Sequence, residues 1–294
     1  MNIKLNHSYL ENFSLFRPRL TKERPFIITS AHSGVKRTKY LQKKINLDKE
    51  NYLCMEDSFI NDICYSFSDL GCAVLQSNVS RLVIDLNRNE IELSPNQISN
   101  LPSHIKLDKT DKVKSGIGLI PIKNASGTNI YEDKLTWSEI KYRIENYYRP
   151  WHTILDIEKE RLLKKFGKVF IIDLHSMPSI YGNNQDVSDF IIGNNHDKSS
   201  SKFLRNILSK IICDYGYKCS FNYPYSGGYI TQKNGSLNQN IQCIQLEINK
   251  NLYMNEKKII KKKEFNLFFQ ELKELLSKFF DELDMEKKEL FAAE

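Results

Sequence analysis

Two histidines and one glutamate, each set against an apolar run, are the residues of this 294-residue chain best placed for chemistry. His32 follows Phe26-Ile-Ile-Thr-Ser-Ala31, and His175 falls in Lys168-Val-Phe-Ile-Ile-Asp-Leu-His-Ser-Met177; a serine follows each. Glu247 closes Ile241-Gln-Cys-Ile-Gln-Leu-Glu247 and is itself followed by Ile248. Two neutral imidazoles and one carboxylate, with a fourth position left open, make the usual catalytic zinc site. An ion held that way polarises a carbonyl and lowers the pKa of a bound water to about 7. A carboxylate inside an apolar strand is costly to bury without a partner. Glu247 therefore suits a general base that moves a proton from water to a leaving nitrogen. The plainer alternatives are hydrogen-bonded loop histidines and a buried salt bridge, with Arg88 as the partner of Glu247.

The third metal ligand is open between Glu56 and Asp57. Many zinc hydrolases supply it three residues after the histidine, where this chain has Val35. The ordinary role of two such carboxylates is to complement a helix N-terminus. Asn87 and Arg88 end the run Arg81-Leu-Val-Ile-Asp-Leu-Asn-Arg88. The planar fork of arginine binds carboxylates in bidentate fashion, or pairs structurally with Asp85. Arg143, Arg149 and His152 gather around Pro150 as a second candidate anion-binding group, although lone arginines usually bind nothing in particular. Gly227 and Gly228 follow Asn222-Tyr-Pro-Tyr-Ser226; paired glycines let backbone approach a ligand closely, or simply make a turn.

These groups need a scaffold that brings them to one edge. In open α/β sheets, ligands bind beyond the carboxyl ends of the strands. Apolar runs at 26–31, 73–76, 82–86, 169–174 and 241–248 read as strands. Helical spacing marks 56–70, 154–166, 203–215 and 265–280. Thr136-Trp-Ser-Glu139 has the form of a capping box, Pro150 interrupts the helix it opens, and Gly167 and Gly216 read as stops. Residues 1–24 form a leader that wraps onto the domain, and 178–200 are polar and loop-like. Residues 89–125, rich in Asn, Ser, Lys and Gly, read as a long loop region and a candidate lid. Strands alternating with helices predict an α/β fold with a mixed, largely parallel sheet flanked by helices. The whole chain, 1–294, is expected to be one domain, with an amphipathic C-terminal helix at 257–294.

Composition narrows the class further. The net charge of +7 gathers largely in Lys257-Lys258 and Lys261-Lys262-Lys263, without the interleaved aromatics of a nucleic-acid groove, so no nucleic-acid partner is expected. No apolar run reaches the length of a membrane span, and the first ten residues lack a signal-peptide core. The six cysteines form no CxxC pair and read as reduced thiols of a cytoplasmic protein. Nothing in the chain bears on oligomeric state.

Taken in order from about residue 26 to 254, these motifs resemble the N-formylglutamate amidohydrolase family. The resemblance rests on His32-Ser-Gly34, Asp57, Arg81–Arg88, Arg143 with Tyr147-Tyr-Arg-Pro-Trp-His152, Asp173-Leu-His-Ser-Met177, Asn222–Gly228 and Gln245–Met254. It implies a three-layer fold like that of the zinc carboxypeptidases and aspartoacylases, and hydrolysis of a small anionic N-acyl amino acid. It also implies one Zn2+ on His32, Asp57 and His175, Glu247 as general acid/base, and Asn87 with Arg88 as a substrate-binding pair. Arg143, His152, Asn222, Gly227 and Gly228 join the expected substrate contacts. The chain departs from the family pattern after Gly34, at Trp151, and throughout 89–125. Two other readings stay open: a carboxypeptidase-like or peptidoglycan amidase, favoured by an open groove, and a catalytically silent binding relative.

Overall fold

The computed structural model describes residues 11–38, 55–124, 126–182 and 185–292. The first ten residues of the expected leader, most of the lysine-rich stretch at 35–50, and Cys54 lie outside the described residues. Seven strands form the main sheet: β1 (Phe13–Phe16), β2 (Phe26–Ser30), β3 (Ala73–Ser77), β4 (Val169–Met177), β5 (Phe190–Gly193), β6 (Cys219–Phe221) and β7 (Ile241–Asn249). Their order is β1-β3-β2-β4-β7-β5-β6. β3, β2, β4 and β7 run parallel, while β1 pairs antiparallel with β3 and β5 antiparallel with β7. The sheet is thus mixed and largely parallel, as expected.

Side chains alternate between the two faces of a strand, and here each face has its own core. Ile27, Val169, Ile171, Ile241 and Cys243 join one cluster with Trp151, Leu155 and Leu162. Phe26, Ile28, Phe170, Ile172, Ile244 and Leu246 join the other with Leu204, Leu208, Phe268 and Leu272. Burying each such large apolar side chain contributes about 1.5–3 kcal/mol. The covering helices on the second face are α5 (Lys202–Asp214) and α7 (Phe265–Ala292). The first face is covered by α3 (Trp137–Arg143) and α4 (Arg149–Phe166). Shorter helices are α1 (Asn61–Cys64), α2 (Asp111–Lys114) and α6 (Tyr229–Asn234).

Several local expectations change. Leu82–Leu86 is not a strand but a series of turns, with all its apolar side chains buried. Its backbone is bonded to Leu119 and to Arg143 rather than to a neighbouring strand; burial alone produces the same apolar run. Only four residues of 56–70 are α-helical, and 65–70 tighten into a 3-10 helix that Gly71 ends at φ 92°. Pro150 does not interrupt its helix. A π segment at Ile144–Tyr148 joins α3 to α4, and the proline sits in the first turn of α4, where its missing N–H is tolerated. The Thr136 hydroxyl caps α3 by accepting from Glu139 N, but Glu139 turns its carboxylate to Arg143 instead of completing the box. Part of the supposed leader is the edge strand β1, and 178–200 contains β5. Segment 89–125 holds α2, and a two-residue strand, Ile98–Ser99, that pairs with Leu135–Thr136. In the C-terminal segment the helix starts only at Phe265, after a short hairpin pairing Met254–Asn255 with Ile260–Lys261.

Candidate active site

The first core face turns polar toward the carboxyl ends of its strands. Period two puts Asp173 and His175 on the face of Ile171, and Gln245 and Glu247 on the face of Cys243. Register sets Thr29 and Gln245 beside Asp173, and Glu247 beside His175. Thr29 Oγ1 donates to Asp173 Oδ1 at 2.7 Å. His32 stands two residues beyond β2, and Asp57 is delivered by a loop whose amide donates to the His32 carbonyl.

Three donors converge here. His175 Nδ1 lies 2.9 Å and His32 Nδ1 3.8 Å from Asp57 Oδ2. The ligand atoms of the three residues lie within 4.8 Å of one another, and all three residues are buried. The far nitrogen of each ring is fixed by its own carboxylate. His32 Nε2 is 2.7 Å from Asp85 Oδ1, and His175 Nε2 is 2.8 Å from Asp173 Oδ2. A carboxylate behind each imidazole sets the tautomer and frees Nδ1 to act as a ligand. The donor set therefore fits a zinc-type ion. Asp57, not Glu56, is the residue turned to the histidines; Glu56 is bound to Arg37 and to the Ser80 hydroxyl, each at 2.5 Å.

Electrostatics separate the two rings. Burial and the Arg81 charge push His32 down to about 4. Burial acts in the same direction on His175, but Asp173 and Asp57 outweigh it and hold that ring well above its ordinary value. Burial would raise Asp57, yet His175, His32 and Lys250 hold it below the usual carboxylate range. Burial, with Asp57 and Asp173 adding to it, raises Glu247 to about 7 against the pull of His175. Gln245 orients Glu247: its Nε2 donates to Glu247 Oε1 at 2.8 Å, while its Oε1 accepts from Gly228 N at 2.7 Å. Glu247 has no salt bridge among the described residues, so the expected alternative of an ion pair with Arg88 is not what is found.

A cavity of about 440 Å³ opens over these groups. Its walls carry His32, Asp57, His175 and Glu247, together with Arg81, Asn87, Arg88, Gly227 and Gly228. Lys112 and Ile117 come to it from segment 89–125, and Tyr225 from the loop before Gly227. Asn87 faces the cavity but is also locked in place, its Oδ1 accepting from Ile230 N at 2.8 Å. Gly228 is required by this approach, since a Cβ there would lie 2.3 Å from Asn87 Nδ2. Arg88 donates to the Ile117 and Asn87 carbonyls.

Three expected substrate contacts lie elsewhere. Arg143 is buried and donates to Val83 O and Tyr131 Oη, both at 3.0 Å, besides pairing with Glu139; it props the 82–86 turns from behind. His152 Nε2 donates to Leu86 O at 3.0 Å and its ring packs on Tyr148, Trp151 and Tyr229. Asn222, at φ 57°, exchanges hydrogen bonds with Asn194. All three build the walls without facing the cavity. The expected anion-binding group around Pro150 thus dissolves: Arg149 is ion-paired to Glu90 on the surface. Conversely, Arg81, Asp85, Asp173 and Gln245 were not assigned these roles from sequence. Asp173-x-His175 and Gln245-x-Glu247 carried the signal, since alternate residues of a strand share a face.

An α/β protein with a largely parallel sheet and a buried His-Asp-His cluster at its carboxyl edge is the class that the fold and the site define. A model of the N-formylglutamate amidohydrolase family matches residues 24–254, and the chain belongs to that family, as its motifs indicated. It is 28% identical over 238 residues to the N-formylglutamate deformylase of Pseudomonas putida, spanning 79% of this chain and 82% of the relative. The Pseudomonas aeruginosa N-formylglutamate deformylase is 27% identical over 238 residues, spanning 79% and 83%. The crystal structure of N-formylglutamate amidohydrolase from Ralstonia eutropha JMP134 has a TM-score of 0.87 at 26% identity, covering 94% of this chain and 99% of that one. A gene product of Agrobacterium tumefaciens, at 16% identity and TM-score 0.66, covers 95% and 98% and shares the fold. No helix among the described residues is long and apolar enough to cross a membrane. The described cysteines are all free thiols.

Proposed function

We propose that this protein hydrolyses the amide bond of N-formyl-L-glutamate, or of a closely similar N-acyl amino acid, to a carboxylic acid and the free amino acid, using one zinc ion. The observation that carries the reading is the convergence of His32, Asp57 and His175 beside Glu247. The names of the relatives above support the substrate class. The same residues would hold zinc through two Nδ1 atoms and one carboxylate oxygen. When bound, such an ion supplies Lewis-acid polarisation of the scissile carbonyl and activation of the attacking water.

The chain's own groups do the rest. Glu247, raised by burial to about 7, takes a proton from the water as its oxygen bonds to the acyl carbon. It returns that proton to the nitrogen as the carbon–nitrogen bond breaks. Gln245 keeps the carboxylate aimed, because its amide is itself pinned by Gly228. Arg81 lines the cavity and is anchored to Asp85 Oδ2 at 2.5 Å, so its charge is fixed beside the reacting centre, where negative charge develops. Arg88 offers its guanidinium to a substrate carboxylate. A cytoplasmic location accords with the free thiols and belongs to the same reading.

The direct test is formate release from N-formyl-L-glutamate by purified protein, before and after zinc removal by a chelator. Release that is lost on chelation and restored by zinc is the expected result. Release that is indifferent to chelation would refute the metal assignment, and no release with zinc bound would refute the substrate.

A further inference from the structure

Segment 89–125 brings into the cavity one cationic side chain, Lys112, that has no salt-bridge partner among the described residues. Lys112 lies on α2, which the Thr110 hydroxyl caps by accepting from Val113 N. The turn after α2 is tied directly to Arg88: Ile117 N donates to Lys112 O at 2.9 Å, and Ile117 O accepts from Arg88 Nε at 3.0 Å. Lys112 and Arg88 therefore line the same wall. Of the other cations of the cavity, Arg81 is ion-paired with Asp85, Lys250 donates to the Glu56 carbonyl, and Arg88 donates to the Ile117 and Asn87 carbonyls. Among the described residues, neither Arg88 nor Lys112 is paired with a carboxylate. Two cations fastened side by side repel each other. In keeping with that, Lys112, though exposed at the cavity mouth, loses some of its proton affinity to partial desolvation and to the charges of Arg88 and Arg81, against the smaller opposing pull of Asp85 and Glu92. An arrangement that gathers positive charge without a counter-ion is complementary to an anion that arrives from outside.

We propose that Lys112 binds the side-chain carboxylate of an acyl amino acid whose α-carboxylate is held by Arg88, and so selects dianionic over monoanionic substrates. The assignment rests on the proposed hydrolytic function and names the residue that makes it specific. A dianion answers both charges, whereas a neutral side chain leaves the Lys112 ammonium facing an amide or a methylene without a counter-charge. Charge-assisted hydrogen bonds of this kind are the strong ones.

The test compares kcat/KM for N-formyl-L-glutamate and N-formyl-L-glutamine in the wild type, K112Q, K112R and K109Q, all zinc-loaded. Lys109 is exposed on the same segment and does not line the cavity, so K109Q controls for the segment as a whole. The preference for the dianion should shrink roughly tenfold in K112Q, mainly through KM. It should be largely kept in K112R and unchanged in K109Q. An unchanged preference in active K112Q overturns the role of Lys112 and leaves the hydrolytic reading standing. A wild type that releases no formate from N-formyl-L-glutamate overturns that reading, and this proposal with it.

Discussion

Asp85 Oδ1 stands 2.7 Å from His32 Nε2, and the other oxygen of the same carboxylate holds Arg81. One buried side chain therefore fixes both a proposed metal ligand and a cation that lines the cavity. Asp173 repeats the first half of this on His175. Carboxylates behind metal-bound histidines typically contribute a factor of 10–100 in affinity. We expect D85N and D173N each to weaken zinc binding by roughly that factor in a chelator competition assay, with D85N also impairing turnover at saturating zinc through Arg81. Wild-type zinc affinity in both variants would show that the rings are held by packing alone.

Replacing Glu247 by glutamine keeps the shape of the side chain beside Gln245 but removes the proposed base. E247Q should bind zinc as the wild type does and lose roughly 10²- to 10⁴-fold in kcat. Hydrolysis at the wild-type rate would assign the proton transfer to another group.

Gly228 touches Asn87 so closely that no side chain fits. G228A should push Asn87 aside and disturb Gly228 N, which anchors Gln245 and through it Glu247. The expected outcome is a large fall in kcat with metal content retained. Unaltered kinetics would mean that the glycine serves only the turn.

His152 gives a prediction in pH. Burial and Lys233 lower it to about 3, against about 6.5 in an unfolded chain. A depressed histidine binds its proton more readily when unfolded, so falling pH favours unfolding. The contribution of the neutral ring is complete above about pH 6.5 and is lost below it, at up to about 1.4 kcal/mol per pH unit, as pH falls toward the folded value. H152Q should show a flatter decline of Tm between about pH 6.5 and 4. An equally steep decline in the variant would place the acid sensitivity elsewhere.

Arg143 separates a wall residue from a substrate ligand. Losing it breaks the ion pair with Glu139 and takes the buried donor from the Val83 carbonyl, which costs about 3 kcal/mol. R143M should therefore lower the denaturant midpoint, and its damage to activity should track unfolding. A rise in KM at undiminished stability would return Arg143 to the substrate.

The apolar runs alone marked the strands that matter and the polar residue types at their ends. The apolar runs before His32, around His175 and before Glu247 are buried strands, and the cluster at their carboxyl edge uses the residue types that the pattern offered. The sequence could not choose between Glu56 and Asp57, because adjacent residues differ only in which way they point; the tertiary structure turned Asp57 to the histidines and Glu56 to Arg37. It did not distinguish the buried turns of 82–86 from a strand, since burial selects apolar residues whatever the backbone hydrogen bonds do. Nor could it tell an arginine or histidine that faces a cavity from one that supports its wall, as Arg143 and His152 do. That difference is set by which side of a turn the packing closes, and it depends on residues more than fifty positions away in the chain, such as Val83 beneath Arg143 and Leu86 beside His152.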